Sequence, residues 1–360
     1  MSNASLARRG SRLRIPTNGP SDERATETLA LGIGTVAFVL VALVALPVFR
    51  LQPAPIAGPN SAGQYSAIAG AIAAIVAFLA GRYLVRRPEA PVTWTRVLDV
   101  CALAFAHGVI ALLSWTLLAV IFEQGFIGAE VFAIPLLALS GAIAAISAYI
   151  AFLSATHMDL SLLAIVLAVF LVQGVLASTL TASDPQWWEM NLSALGMTDD
   201  LSAFAFNLTL IVAGVLVTTL ARYATAGMAT ANASGARSLR TCLIVIGVFL
   251  ACVGIFKVDE FFWVHNSVAI GMVVAFAVAA VRITRWVPGL PQGFVLLGRL
   301  FIAIIVVLAV FFFTGYYTLT AVELAAGVLV FSWIILLLRG AAALQTDAAD
   351  GALASPPPGR

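Results

Sequence analysis

Charged side chains are scarce in this chain of 360 residues: they make up 10% of it, whereas hydrophobic residues make up 62%. Basic charge is almost wholly arginine, because Lys257 is the only lysine beside eighteen arginines. A water-soluble domain cannot cover so much apolar surface with so few polar groups. The composition therefore excludes a soluble globular protein and predicts a chain that dissolves in a lipid bilayer.

Cysteine and histidine are also rare, with three of each. Cys101, Cys242 and Cys252 all fall in apolar runs, so no structural disulfide is predicted, and no pair has metal-ligand spacing. The sequence contains neither a phosphate-binding Walker loop nor a dinucleotide glycine fingerprint. We therefore expect no cofactor, no bound metal and no nucleic-acid partner.

Long apolar runs dominate what is present. A spanning helix needs about 20 mostly apolar residues, since the hydrocarbon layer is about 30 Å thick and each residue rises about 1.5 Å. Ten segments qualify: 29–49, 65–85, 97–122, 131–155, 160–180, 201–221, 239–256, 261–281, 296–314 and 319–338. Lipid offers no partners to stray backbone groups, so each run is predicted to be helical. The predicted fold class is all-α, a polytopic transmembrane helix bundle of about ten spans.

Basic residues lie on one side of this predicted bundle. With a cytoplasmic N-terminus, 17 arginines fall inside and only Arg50 and Lys257 fall outside. The positive-inside rule therefore predicts a multi-pass protein of the cell (plasma) membrane with cytoplasmic N- and C-termini. The outer loops carry an excess of acidic residues, which is consistent either with loop solubility or with an acidic outer vestibule.

Four regions are predicted along the chain. Residues 1–28 are polar and basic, as in a disordered cytoplasmic tail, and residues 341–360 end in a proline-rich tail that is also predicted to be disordered. Between them we expect a four-helix transmembrane segment over 29–155 and a six-helix transmembrane domain over 156–340.

Two predicted outer loops hold most of the polar residues that could form a site. One precedes the sixth span and contains paired tryptophans, which typically anchor at a membrane surface. The other precedes the eighth span and contains the single lysine. Together they define a candidate outer pocket made of Trp187, Trp188, Asn191, Ser193, Gly196, Asp199, Asp200, Asn207, Lys257, Asp259, Glu260, His265 and Asn266.

Several short pieces in these loops and helices form a pattern. They are Asn191-x-Ser193-x-Leu195-Gly196, Phe206-Asn207 with Ala213-Gly214, Gly254-Ile255-Phe256, and His265-Asn266. The pattern resembles the bacterial membrane family called domain of unknown function 998, over about residues 156–340, and that family is similar to the six-helix Frag1/DRAM-like proteins. The resemblance implies a fold but no reaction, because the family has no established biochemical activity.

Two intramembrane polar residues, His107 and Glu323, are further candidates, since ionisable groups at that depth are often functional. For His107 a neutral histidine bonded to a neighbouring helix is the favoured interpretation, and for Glu323 an interfacial carboxylate is an equally good one.

Three functions remain open at this point. The favoured one is a non-enzymatic protein of unknown biochemical activity that binds a membrane lipid or a small amphiphile in an outward-facing pocket, or that scaffolds other membrane proteins. A second is a transporter that uses His107 and Glu323. A third is a membrane hydrolase in which His265 activates Ser193 or Ser267, or binds a metal with nearby carboxylates. A zinc site with three histidines is excluded, because His107, His157 and His265 are predicted at three different depths.

Overall fold

The structure is a computed structural model that describes residues 20–84, 93–226 and 232–354. Within these ranges it contains ten α-helices and one pair of short strands. The helices are α1 Pro20–Phe49, α2 Ala62–Leu84, α3 Trp94–Gly125, α4 Ala133–Thr156, α5 Leu160–Leu180, α6 Leu201–Ala226, α7 Ala233–Ile255, α8 Phe262–Trp286, α9 Gln292–Phe313 and α10 Leu319–Ala354. The strands are β1 Ala54–Pro55 and β2 Glu130–Val131.

All ten described helices are long and apolar enough to cross a membrane. The prediction of an all-α polytopic bundle is therefore confirmed. Many large apolar side chains are exposed along these helices, for example Val39, Ile72 and Val306, with more than 45% of each residue exposed. A surface of this kind suits lipid and does not suit water.

Several helices extend beyond the predicted runs, and the largest differences are at α1, α7 and α10. The predicted tails were wrong at residues 20–28 and 341–354, which are helical. Helix α1 begins at Pro20, and α10 continues to Ala354. The start of α1 is held by a hydrogen bond from the hydroxyl of Tyr149 on α4 to Glu27. Helix α7 begins at Ala233, six residues before the predicted run, because the Asn232 side chain caps it by accepting from the Gly235 amide at 2.9 Å. The rest of both tails, 1–19 and 355–360, lies outside the described residues.

One compact unit contains residues 1–108 and 125–157. In it α4 packs against both α1 and α2. Small residues allow this approach: Ala144 and Ala148 of α4 are almost fully buried, and a Cβ added to Gly81 of α2 would come within 2.9 Å of the Ala155 Cβ. The strands β1 and β2 pair antiparallel, with Ala54 opposite Val131, and so join the loops after α1 and before α4.

The second compact unit contains residues 109–124 and 158–360. Consecutive helices pack in turn from α5 to α10, and α10 also packs against α5. Helices α6 and α7 cross most closely at Gly214 and Gly247, where a Cβ added to Gly214 would lie 2.3 Å from the Gly247 carbonyl oxygen. This unit contains every residue predicted for the outer pocket.

Candidate functional site

The loop between α5 and α6 is ordered by two short 3-10 helices, a first loop helix Trp187–Glu189 and a second loop helix Leu192–Gly196. Leu195 anchors the second loop helix in the protein interior, with 2% of its surface exposed. Asn207 of α6 fixes its end by donating from Nδ2 to the Gly196 carbonyl at 3.0 Å. A Cβ on Gly196 would lie 2.5 Å from Asn207 Oδ1, so any larger residue here displaces the Asn207 side chain.

Ser193 and His265 meet inside this unit. Nδ1 of His265 lies 2.7 Å from the Phe256 carbonyl oxygen, and Nε2 lies 3.0 Å from Ser193 Oγ. A carbonyl only accepts, so Nδ1 donates to Phe256, and in the neutral form of the ring Nε2 accepts from the Ser193 hydroxyl. Both residues are buried, at 8% and 4% exposed for Ser193 and His265. The arrangement joins a hydroxyl to a base that a third group orients.

Glu323 of α10 also holds the second loop helix. Its Oε2 accepts from the Leu192 amide at 2.6 Å, one residue before Ser193. The first N–H groups of a helix have no intrahelical partner, so a carboxylate is a favourable acceptor at this position. Glu323 is therefore part of the support of the loop.

Asp200 links two parts of the loop to the start of α6. Its Oδ1 accepts from the Ala203 amide at 2.9 Å and from Thr198 Oγ1 at 2.7 Å, and its Oδ2 accepts from Ser183 Oγ at 2.5 Å. Partial burial acts to raise the pKa of Asp200, but the hydrogen bonds from Ser183, Ala203 and Thr198 outweigh burial and hold the pKa below the ordinary carboxyl value. Asp200 is therefore an ionised cap of α6 at neutral pH.

Lys257 forms an ion pair with Asp199, with 3.2 Å between Nζ and Oδ1. The hydrogen bond to Asp199 raises the pKa of Lys257 above its ordinary value; desolvation opposes this, and the charges of Asp199, Glu260 and Asp259 add to the rise. The lysine is therefore protonated at neutral pH. Asp199 is almost fully exposed, so its second oxygen is accessible to solvent.

These groups border an open cavity of about 390 Å³, which we call the Lys257 pocket. Its polar side is formed by Thr198, Asp199, Asp200, Asn207 and Lys257, and its apolar side by Ala203, Phe204, Leu208 and Ile211. The cavity thus combines a charged rim with an apolar wall along α6.

Four residues predicted for the pocket line this cavity: Asp199, Asp200, Asn207 and Lys257. The others lie elsewhere in the same unit. Trp188, Asp259 and Glu260 are exposed, Trp187 is half-buried in the first loop helix, and Asn266 donates to the Phe262 carbonyl within α8. Gly196, Ser193 and His265 form the support described above, and Asn191, which precedes the second loop helix, has a buried Oδ1 without a hydrogen-bond partner among the described residues.

Sequence reasoning missed the apolar wall of the pocket. Phe204, Leu208 and Ile211 read like any other lipid-facing residues of α6. Starting from the Asp200 cap, they follow one another at spacings of four, four and three residues, which places them on one helix face, and this was the available signal.

His107 lies in the other compact unit. Its Nδ1 is 2.8 Å from the Leu103 carbonyl oxygen and its Nε2 is 2.8 Å from Ser154 Oγ on α4. It therefore connects α3 and α4 through its two ring nitrogens. Among the described residues no group of three or more His, Cys, Asp or Glu side chains is placed to hold a metal ion.

The pieces of the sequence pattern are neighbours in the folded chain. Ser193 contacts His265, Gly196 contacts Asn207, and a Cβ on Gly254 would lie 2.7 Å from the Asn207 carbonyl oxygen. The family model described as "Protein of unknown function (DUF998)" matches residues 162–340. No curated protein and no solved structure matches the chain, and the similarity to Frag1/DRAM-like proteins stays a prediction. Residues 162–340 of this membrane protein match the DUF998 family, the family that the loop and helix pattern predicted.

Proposed function

We propose that this protein binds a lipid or a small amphiphile with a zwitterionic head group in the Lys257 pocket. The observation that carries the proposal is the composition of that cavity, which places Lys257 and Asp199 next to Phe204, Leu208 and Ile211. A ligand with a charged head and an apolar body matches such a surface, since apolar walls supply affinity and a few polar groups fix orientation.

The charges of the rim support a zwitterionic head. Asp200 already accepts hydrogen bonds at both oxygens, so it is committed to the loop and to α6. Lys257 and Asp199 remain, and they touch each other at 3.2 Å through one carboxylate oxygen. A zwitterionic head group can pair its anionic part with Lys257 and its cationic part with Asp199, in place of the single pair between these two residues. Opening that pair costs little free energy, because it is exposed to solvent.

Photo-crosslinking tests the proposal. The probe is a zwitterionic lysophospholipid with a photoreactive group in its head, added to the purified protein in detergent. We expect labelled peptides from residues 198–211. Leu208→Trp fills the pocket and is expected to reduce this labelling by about tenfold, a loss that corresponds to about 1.4 kcal/mol of binding free energy.

Val215→Trp is the matched control, because Val215 is an exposed residue of the same helix that does not line the pocket. It is expected to label like the unchanged protein. Equal labelling of residues 198–211 in the Leu208→Trp protein, with the fold intact, contradicts the proposal.

A second candidate function is hydrolysis by a serine nucleophile. It is favoured by the hydrogen bond between Ser193 Oγ and His265 Nε2 and by the Phe256 carbonyl that orients the imidazole. His265 can take the Ser193 proton as a general base while Ser193 Oγ attacks an acyl or phosphoryl centre. The bond to the leaving group then breaks as His265 returns that proton to it, and a water molecule deprotonated by the same imidazole hydrolyses the serine ester. The carboxylates expected to join His265 lie elsewhere: Asp200 caps α6 and Asp199 pairs with Lys257.

A fluorophosphonate probe separates this candidate from binding alone. A nucleophilic Ser193 forms a covalent adduct, which intact-protein mass spectrometry detects and which Ser193→Ala abolishes. Ser267→Ala is the control, since Ser267 is exposed on α8. If the folded protein forms no adduct, the pair of Ser193 and His265 has a structural role only. This result does not bear on the proposal of ligand binding in the Lys257 pocket.

A further inference from the structure

A second cavity lies at the opposite end of the same compact unit, where α9 begins and the apolar part of α10 ends. It has a volume of about 420 Å³, and we call it the Arg339 pocket. Its walls are mostly apolar, with Leu290, Phe294, Leu297 and Leu336. Its charged member is Arg339, which is exposed and has no hydrogen-bond or ion-pair partner among the described residues.

The backbone of α9 adds positive potential to this cavity. Pro291 is the N-cap residue and provides no side-chain hydrogen bond to the first turn. The first N–H groups of a helix lack intrahelical partners, and the helix dipole makes this end partly positive. Gly293 in this turn also lines the cavity, and a Cβ added to it would meet no atom within 4 Å. Space is therefore open beside both the amides and the guanidinium.

We propose that the Arg339 pocket binds the phosphate of an anionic phospholipid. Arginine presents a planar fork that matches phosphate oxygens, and the partly positive start of α9 favours an anion in the same cavity. The apolar walls of Phe294, Leu297 and Leu336 then contact the glycerol and upper acyl chains. A free phosphate ion gains nothing from these walls, so the occupant to which the cavity is suited is a lipid.

Native mass spectrometry of the full-length protein in detergent tests this inference. The probes are phosphatidylglycerol and phosphatidylcholine with identical acyl chains. We expect the unchanged protein to retain more phosphatidylglycerol, and Arg339→Gln to reduce that retention about fivefold, since one arginine near a lipid surface contributes about that factor. Gly293→Leu, which fills the cavity without changing any charge, is expected to reduce retention as well.

Arg282→Gln is the matched control, because Arg282 is exposed near the C-terminal end of α8 and does not line the cavity. It is expected to retain phosphatidylglycerol like the unchanged protein. The inference is overturned if the Arg339→Gln and Gly293→Leu proteins retain as much phosphatidylglycerol as the unchanged protein. It is also overturned if the Arg282→Gln protein loses as much phosphatidylglycerol as the Arg339→Gln protein. Displacement of the lipid by millimolar inorganic phosphate overturns the assignment to a lipid.

Discussion

Each buried imidazole in the described residues has partners at both ring nitrogens. His107 lies between the Leu103 carbonyl and Ser154, and His265 lies between the Phe256 carbonyl and Ser193. Burying a polar group is costly unless its hydrogen bonds are made, so both rings are tolerated in an apolar interior. A structural role therefore accounts for His107 completely. His265 holds Ser193 in the same geometry in which His107 holds Ser154, so for Ser193 the fluorophosphonate experiment distinguishes a nucleophilic role from a structural one.

Asp200 gives the first prediction, because its pKa lies below the ordinary carboxyl value in the folded protein. The ionised form therefore stabilises the fold above the pKa of the unfolded chain, and this contribution is lost as the pH falls through the lower folded pKa. Asp200→Asn keeps an acceptor for the Ala203 amide but removes the charge. We expect it to be less stable than the unchanged protein at pH 7, and the difference to shrink as the pH falls below 4.

Thermal unfolding in detergent, followed by tryptophan fluorescence at several pH values, measures this difference. Asp200→Ala also removes the cap, and is expected to cost about 0.5–2 kcal/mol at neutral pH. The exposed Asp259→Asn is the control for loss of one negative charge from the same face. A stability difference that does not vary with pH contradicts the assignment of Asp200 as an ionised cap.

At the scale of helices, the close crossing of α6 and α7 depends on two glycines, Gly214 and Gly247. A Cβ added to Gly247 would lie 2.5 Å from the Gly214 carbonyl oxygen, 2.4 Å from Thr218 Oγ1 and 2.9 Å from the Thr218 amide. Backbone atoms cannot rotate away, so the helices must separate. This crossing holds α6 in the position from which Asn207 reaches Gly196.

Gly247→Ala is therefore expected to destabilise the protein by about 1–3 kcal/mol, the usual cost of overpacking, even though alanine is the better helix former. Gly327→Ala on α10 is the matched control, because an added Cβ there meets no atom within 4 Å. It is expected to be neutral or to stabilise by about 1 kcal/mol, through helix propensity alone. Thermal unfolding midpoints in one detergent compare the two, and equal midpoints contradict the close crossing.

Helix ends show what apolar runs alone predict and what they leave out. The run 160–180 gives α5 at its observed bounds, because both its ends coincide with polar residues. The extra turns of α1, α7 and α10 contain polar residues, so hydropathy omits them. Asn232 was a readable N-cap signal for α7, whereas the bond between Tyr149 and Glu27 joins residues far apart in the chain and no local pattern predicts it.

At the scale of the whole chain, the ten spans were more predictable than the site. Loop position placed Asp199, Asp200 and Lys257 near one another, because loops at one end of a bundle converge. Sequence alone does not give the rotation of α6, so Phe204, Leu208 and Ile211 were indistinguishable from residues that face lipid. The pair of Ser193 and His265 connects positions 72 residues apart, and only the folded chain brings it together.

The last prediction concerns the orientation of the chain in the membrane, and it rests on the distribution of arginine. With a cytoplasmic N-terminus 17 arginines lie inside and only Arg50 and Lys257 lie outside. Arginine near the ends of spans resists translocation, so the loop with Trp188 is expected outside and the end of α8 with Arg282 inside. The same orientation places the Lys257 pocket on the outer face and the Arg339 pocket beside the cytoplasmic leaflet, which carries anionic lipid.

Cysteine labelling measures this orientation in intact cells. Cys101, Cys242 and Cys252 are first replaced by alanine or serine, and a single cysteine is then introduced as Trp188→Cys or Arg282→Cys. A membrane-impermeant maleimide is expected to label the Trp188→Cys protein in intact cells and the Arg282→Cys protein only after lysis. The reverse pattern contradicts the predicted orientation and moves the zwitterionic ligand of the Lys257 pocket to the cytoplasmic side, whereas the pocket itself, which depends on contacts within one unit, stays as described.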